Sequence, residues 1–502
     1  MRPVRAPVCG LFRMTQHVGV LELASKYRYG LTSRGVPMYL FRPYDEEVPD
    51  MIVGCKERDI TRNQIAIVEV ATATAAATAT AAATVAATAA ADSSGKVRGS
   101  LVRLLAPVGD RKAEEAALLE HYCPTIRRSK EAGAGAAATT KDTVAVTKLR
   151  PLLDTTTGWT TFHVDPIGCL DIDDAIGWSA EKGLWAVTIA DVASLEGATD
   201  AHIDATARAH GQTFYNLNGK ALRPMLPASL SEGEGSLLPG EERHGVTAYF
   251  TRDGTECVGW ERTRIIVRHS FDYETFASAL LDLPSEPPCT DSHAWIADWM
   301  IRYNTAAAKE LCRIGMGLLR VQSAADAAAV GTWRNIHPDL AWMANEAASY
   351  EALTSKDAPN KGHAGMGGIA YTHASSPLRR YADLVNQRIL TAAILGGDHP
   401  VMAESLVPLA AHLNERCKAE RRWSRDLTFL EHVRPGRVKT IRIVWVDEGR
   451  IWIPEWRRII RIRHTPSCQK APGSEDRIQI FCDPTKRSWK RRVLTAELPQ
   501  TR

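Results

Sequence analysis

The stretch HVDPIGCLDIDDAIG puts Asp165, Asp171, Asp173 and Asp174 within ten residues, directly after the strand-like TTFHV. Four carboxylates on one short segment repel one another and raise each other's pKa unless a cation neutralises them. Donors that are all oxygen favour a hard cation, Mg²⁺ or Mn²⁺, over zinc. Asp173 and Asp174 are adjacent, so they point in different directions and suit different ions or roles. A pair of such ions can activate a water and stabilise the leaving oxygen of a phosphodiester. A calcium-type structural loop or a solvated acidic turn would also account for the carboxylates, but the Gly and terminal Glu of EF-hand spacing are missing.

A second segment, YTHASSPLRRYADLVNQRIL, carries the opposite charge. Ser375 or Ser376 can cap a helix whose first position is Pro377, leaving backbone N–H groups aimed outwards. Arg379 and Arg380 then fall in the first turn, where cations oppose the helix dipole and an anion should lie nearby. The plainer alternative pairs Arg379 with Asp383 one turn on. An acidic metal site beside an arginine-bearing helix start suits phosphoryl chemistry. Arg388, further along, reads as structural.

The elements that must position these residues follow from periodicity. From His17 to about Val70, VGVLEL, PMYLF and NQIAIVEV read as strands separated by turn-rich GLTSRG and RPYDEEVPD. The Ala/Thr tract 71–91 has no periodic apolar face and reads as a loop insertion, after which GKVRGSLVRLLAPVGD supplies one more strand and a turn. A helix is predicted from Lys112 to His121. From Trp159 to about Arg434 the chain alternates strand-like and helix-like segments. After Pro435 and Gly436 the strand period returns in VKTIRIVWV, GRIWIPEW, RIIRIR and DRIQIFC, which suggests a small barrel.

The segments DPIGCLDIDDAIG, PMLPASLSEGEGSLLPGEERHGVTAYF, WMIRYN, YTHASSPLRRYADLVNQR and HLNER, taken in order, resemble the successive signatures of the RNase II (RNB) exoribonuclease family. The resemblance covers roughly Trp159 to Arg434. It implies a 3′→5′ exoribonuclease that uses Mg²⁺ (or Mn²⁺) to hydrolyse single-stranded RNA to nucleoside 5′-monophosphates. It also implies an α+β architecture: a mixed α/β catalytic domain flanked by a cold-shock-like N-terminal barrel and an OB-like C-terminal barrel, a compact version with one N-terminal module. The expected layout is a tail over 1–15, a cold-shock-like domain over 16–125, a linker over 126–158, the catalytic domain over 159–434 and a basic RNA-binding domain over 435–502.

By the same resemblance Asp165 and Asp174 hold one metal, while Asp171 and Asp173 bind or poise the second metal and the water. Arg379 contacts the scissile phosphate, and Tyr215 stacks near the 3′-terminal base. Stacking reads no base identity, which suits an enzyme that degrades any sequence. Asp298 falls near an acidic family position that usually carries Glu, and His373 and Arg380 support the site. Two departures stand out: Thr188 where the family commonly carries His, and Ala374 and Ser375 where Phe and Thr are more usual. An RNA-binding protein that has lost activity on the same fold, and a DNA exonuclease, are the alternatives; RNA over DNA rests on the resemblance alone.

The chain has 502 residues, 45% hydrophobic and 24% charged, which is ordinary globular composition and excludes a wholly disordered protein. Its formal charge of +4 is uneven: residues 436–502 hold 16 Lys and Arg against 7 Asp and Glu, a net of +9, which leaves −5 elsewhere. Trp445, Trp452, Trp456 and Trp489 in that basic segment offer rings for bases beside cations for phosphates, or else form the core of a barrel with a solvated arginine face. Ten scattered cysteines without a CxxC pair read as thiols of an intracellular protein, cytoplasmic or nuclear. The Ala/Thr tract carries too little transfer free energy for a membrane span. A monomer is expected.

Overall fold

The structure, a computed structural model, describes residues 16–45, 47–70, 97–126, 150–279, 291–356, 362–396, 403–432, 438–461, 471–481 and 495–497. The N-terminal tail, the Ala/Thr tract and Trp489 lie outside the described residues, as does most of the expected linker. No helix among the described residues is long and apolar enough to cross a membrane.

The first strands alternate as their sequence requires. Strands β1 (Gln16–Leu21), β2 (Met38–Pro43), β3 (Met51–Gly54), β4 (Gln64–Val70) and β5 (Val97–Pro107) close a barrel in the order β1-β2-β3-β5-β4. Leu21, Phe41, Met51, Val53, Ala66 and Val68 fill it. Gly19 is needed where β1 crosses β2, because a Cβ there would stand 2.2 Å from the Arg42 carbonyl oxygen. A helix at Arg111–Tyr122 follows, its Asp110 cap accepting the Ala113 N–H. Burial of its Glu114 is satisfied by the Tyr44 hydroxyl at 2.9 Å.

The central sheet has seven strands in the order β14-β7-β8-β9-β12-β13-β6. These are β6 (Leu152–Leu153), β7 (Thr160–Val164), β8 (Asp174–Ser179), β9 (Leu184–Ala190), β12 (Glu242–Phe250), β13 (Cys257–Ile266) and β14 (His269–Phe271); β10 (Phe214–Tyr215) and β11 (Ala221–Arg223) form a separate hairpin. Strands β7 to β9 run antiparallel, with β14 parallel to β7 at one edge. Phe162, Trp185, Phe276, Trp295 and Trp299 pack the helix Ser292–Ile314 onto the sheet. The helix Tyr381–Leu395 is buried nearly all round, and its Gln387 bonds the Ala190 carbonyl and the Ala193 N–H. Thr188, at the position where His was expected, joins Thr247 and Thr263 in a hydroxyl ladder across three strands, at 2.8 and 2.7 Å.

Two boundaries differ from those the sequence suggested. Residues before Trp159 already belong to the central sheet and its contacts: Leu152 and Leu153 pair with β13, and Asp154 binds Arg268 at 2.6 Å, inside the stretch read as linker. The segment Ala327–Ala344 groups with residues 1–125 and 419–502 in one compact unit, while Ile126–Asp326 and Asn345–Lys418 form the other. The reason is burial: Leu340 packs on Val444, Val446 and Trp452 of the C-terminal sheet.

That sheet has five strands in the order β19-β18-β17-β20-β21, from β15 (Gly317–Val321) and β16 (Ser349–Leu353) of the central unit onward: β17 (Val438–Asp447), β18 (Arg450–Ile453), β19 (Arg458–Arg461), β20 (Glu475–Phe481) and β21 (Thr495–Glu497). Trp445, Trp452 and Trp456 are buried in it, so their alternation marks a core and offers no open ring to a base. Asp426, also buried, accepts the Tyr122 hydroxyl at 2.6 Å and Arg458 at 3.1 Å. No disulfide joins the described cysteines.

Candidate active site

Asp165, Asp171 and Asp173 lie on the loop between β7 and β8, which is pinned at both ends, and Asp174 opens β8. The Asp165 N–H donates to the Phe271 carbonyl at 3.1 Å, and Gly168 turns the chain in the left-handed region at φ +82°. Further on, the Ile172 N–H donates to Ser236 Oγ at 3.0 Å and the Ala190 N–H to the Asp173 carbonyl at 2.9 Å. Ser236 and Leu237 of the PMLPASLSEGEGSLL segment therefore brace the loop from one side, and the end of β9 from the other.

Asp173 is buried. Its Oδ1 accepts the Leu378 N–H at 2.9 Å and its Oδ2 accepts Arg379 Nε at 2.9 Å. Burial pushes its carboxyl up to about 7 even though the Arg379 charge and the Leu378 N–H pull it back. Asp174 is raised well above the usual carboxylate range by burial and by the charges of Asp165 and Asp173. Asp171 takes the Tyr215 hydroxyl at 2.7 Å and the Cys169 thiol at 3.4 Å. Burial, then the Asp165 and Asp171 charges, push that thiol up to about 12. Asp165 lies 3.0 Å from His163 Nδ1.

The arginine segment is built differently from the helix expected at Pro377. The helix starts at Tyr381, and residues 377–379 form a turn. The Tyr381 N–H goes to the Gly211 carbonyl at 2.9 Å and breaks the ladder, while Asp383 Oδ1 accepts the Ser376 N–H at 2.8 Å and its carboxylate grips Arg380 with both oxygens at 2.9 and 2.8 Å. Arg380, not Arg379, is thus the partner of Asp383. The anion that meets the free N–H of this turn is Asp173 itself. Arg379 also donates from Nη2 to Ser376 Oγ at 3.0 Å, yet its side chain is 43% exposed.

His373 bonds the Tyr350 hydroxyl at 2.8 Å, and burial, aided by Arg380 and Arg320, holds it well below the usual imidazole value. It is a neutral packing group behind Arg380. Asp298 is not drawn to the cluster; it faces solvent and binds Arg302 one helical turn on at 2.6 Å. Two residues escaped the sequence reading. Tyr273 has its phenol raised by burial and then by Asp165 and Asp174, and its ring stacks on His293 at 3.6 Å. Its signal is position, two residues past β14, the strand that pairs with β7. Asp191, fully buried, binds Arg150 at 3.0 Å and Arg262 at 2.7 Å.

Among the described residues no three His, Cys, Asp or Glu side chains stand together closely enough to hold one metal ion. Asp173 is turned to Arg379 and Asp171 to Tyr215. The donor set nevertheless fits a hard divalent cation in its chemistry: oxygen ligands, with Asp174 raised by burial and then by the Asp165 and Asp173 charges, a repulsion that a cation would relieve.

The model of the RNB domain matches residues 154–288 and 285–396. A 95-residue stretch, 18% of the chain, is 41% identical to the mouse 3′-5′ exoribonuclease HELZ2, and covers 3% of that protein's length. The fold is shared with Mycoplasma genitalium RNase R in complex with ribose methylated single-stranded RNA: TM-score 0.68 at 15% identity, over 96% of this chain and 89% of that one. It is shared also with yeast Ssd1, a pseudonuclease, at TM-score 0.63 and 16% identity, over 91% of this chain and 66% of that one. The aspartate loop and the arginine turn both lie inside residues 154–396, the part of the chain that matches the RNB domain.

Proposed function

We propose that this protein is a metal-dependent 3′→5′ exoribonuclease that hydrolyses single-stranded RNA to nucleoside 5′-monophosphates. One contact carries the reading: a half-exposed guanidinium, Arg379, rests on a buried carboxylate, Asp173, within a cluster of repelling aspartates. Asp165 and Asp174 would hold one Mg²⁺ or Mn²⁺, and Asp171 and Asp173 a second. Such ions supply an activated water and charge for the leaving oxygen.

The chain's own residues orient the substrate. Arg379 presents forked donors to the scissile phosphate and offsets charge that grows there in the transition state. Arg380, gripped by Asp383, keeps the main chain of the turn in place. Tyr215 offers its ring to the terminal base while its hydroxyl sets the rotamer of Asp171. The two functions of Tyr215 separate by mutation. Tyr215→Phe keeps the ring and should slow hydrolysis roughly tenfold with the final fragment unchanged. Tyr215→Ala should change the length of that fragment, read on a sequencing gel. The N-terminal barrel and the basic C-terminal segment are read as further RNA-binding modules.

A second reading, an inactive RNA-binding protein, is favoured by one observation: both oxygens of Asp173 are already engaged. Single-stranded RNA blocked at its 3′ or its 5′ end, incubated with Mg²⁺ and analysed by product length, decides between them. Protection by the 3′ block alone supports the exonuclease; intact RNA in every lane supports the binding protein.

A further inference from the structure

Asp173 and Arg379 hold each other while the main chain around them is fixed. The Arg379 carbonyl accepts the Thr213 N–H at 2.9 Å, the Tyr381 N–H reaches the Gly211 carbonyl at 2.9 Å, and Asp383 ties Ser376 and Arg380. Of the pair, the Arg379 side chain is open to solvent on one side while Asp173 is buried. In this state the guanidinium does for the buried carboxylate what a metal ion would do, neutralising its charge and filling one of its oxygens. The same contact occupies the Nε–H that a phosphate would want, and Ser376 Oγ occupies Nη2. A cation and a phosphate therefore meet a site in which each one's partner is spent on the other's.

We propose that Arg379 and Asp173 form an interlock: the guanidinium occupies the carboxylate until a phosphate draws it away, so a divalent cation and a phosphate group bind cooperatively and each binds weakly alone. The proposal rests on the phosphodiester-hydrolysing reading above and adds to it a coupling between the two ligands. Because binding free energies are linked, the factor by which one tightens the other must be the same in both directions.

The test uses the whole protein, with Mn²⁺ as the cation and adenosine 5′-monophosphate as the phosphate carrier. Free Mn²⁺ is read by electron paramagnetic resonance. Saturating nucleotide should lower the Mn²⁺ Kd by about tenfold or more, and saturating Mn²⁺ should lower the nucleotide Kd by the same factor. Arg379→Gln should bind Mn²⁺ alone more tightly than the wild type and show no response to nucleotide. Arg379→Lys keeps the positive charge but loses the planar fork whose Nε meets Asp173 Oδ2 and whose Nη2 meets Ser376 Oγ. It too should bind Mn²⁺ alone several-fold more tightly than the wild type.

Wild-type Mn²⁺ affinity indifferent to nucleotide would overturn the interlock, whether or not the variants fold. So would a lysine variant that matches the wild type while only the glutamine variant tightens, since that is a plain field effect. RNA hydrolysis by the same preparation separates the two claims. Coupled binding without hydrolysis keeps the interlock and removes the nuclease reading; hydrolysis with uncoupled binding removes the interlock alone.

Discussion

Asp173→Asn should cut mononucleotide release by at least about 10³-fold while leaving single-stranded RNA bound. The asparagine keeps an oxygen for the Leu378 N–H, so the turn holds its shape, but the negative charge that Arg379 neutralises, and that a cation would need, is gone. Freed from its carboxylate, Arg379 remains a cation for the RNA backbone, so binding measured by fluorescence anisotropy should be equal or tighter. Undiminished release of mononucleotides by this variant would sink the mechanism. The same substitution has a pH signature without metal. The native carboxyl titrates at about 7 against 3.8 for an unperturbed aspartate, so between those values the folded state holds a proton that the unfolded chain has lost. Residue 173 therefore makes the wild type lose stability as pH rises from about 4 towards 7. The asparagine variant lacks that loss, and its melting temperature should gain on the wild type across this window.

Asp191→Asn is expected to give the largest loss of stability, about 3–5 kcal/mol, read as an earlier unfolding transition in thermal or urea melts. One oxygen of Asp191 serves both Arg150 and Arg262, and all three side chains are buried or nearly so. The amide leaves two guanidinium groups without a counter-charge in a poorly hydrated place. The damage should reach the active site as well, because Asp191 directly follows Ala190, whose N–H holds the Asp173 carbonyl. A variant that melts within about 1 kcal/mol of the wild type would show that solvent already compensates these arginines.

The strands and the aspartate loop were legible because their information is local. TTFHV and NQIAIVEV carry their own strand pattern, and four carboxylates in ten residues stand out as a cluster whatever surrounds them. What escaped was partner choice at long range. Helix spacing offers Asp383 to Arg379, but the structure gives it to Arg380, because Arg379 has a better partner 206 residues away in Asp173. The Ser-Pro start signal failed for a related reason. The Arg380 N–H closes a turn onto the Ser376 carbonyl, but the Tyr381 N–H goes to the distant Gly211 carbonyl, so the ladder breaks and the helix starts at Tyr381. The tryptophans of the C-terminal sheet show a third limit: Trp452 lies on the Val444 face with Leu340 and Trp445 on the opposite one, and strand period alone does not tell whether a ring meets RNA or the protein's own interior.

The unit that contains the N-terminal barrel is assembled from three stretches of sequence, and this bears on the order in which the protein is made. Tyr122 finds its acceptor, Asp426, 304 residues later. A chain emerging from the ribosome can fold its barrel early, but the helix after it keeps an unmatched hydroxyl, and the insert carrying Leu340 keeps an apolar face, until the last strands are synthesised. Such distant closures carry high contact order and slow folding. Truncation near residue 434 would accordingly do more than remove a terminal module: it would strip the cover from an insert made a hundred residues before it.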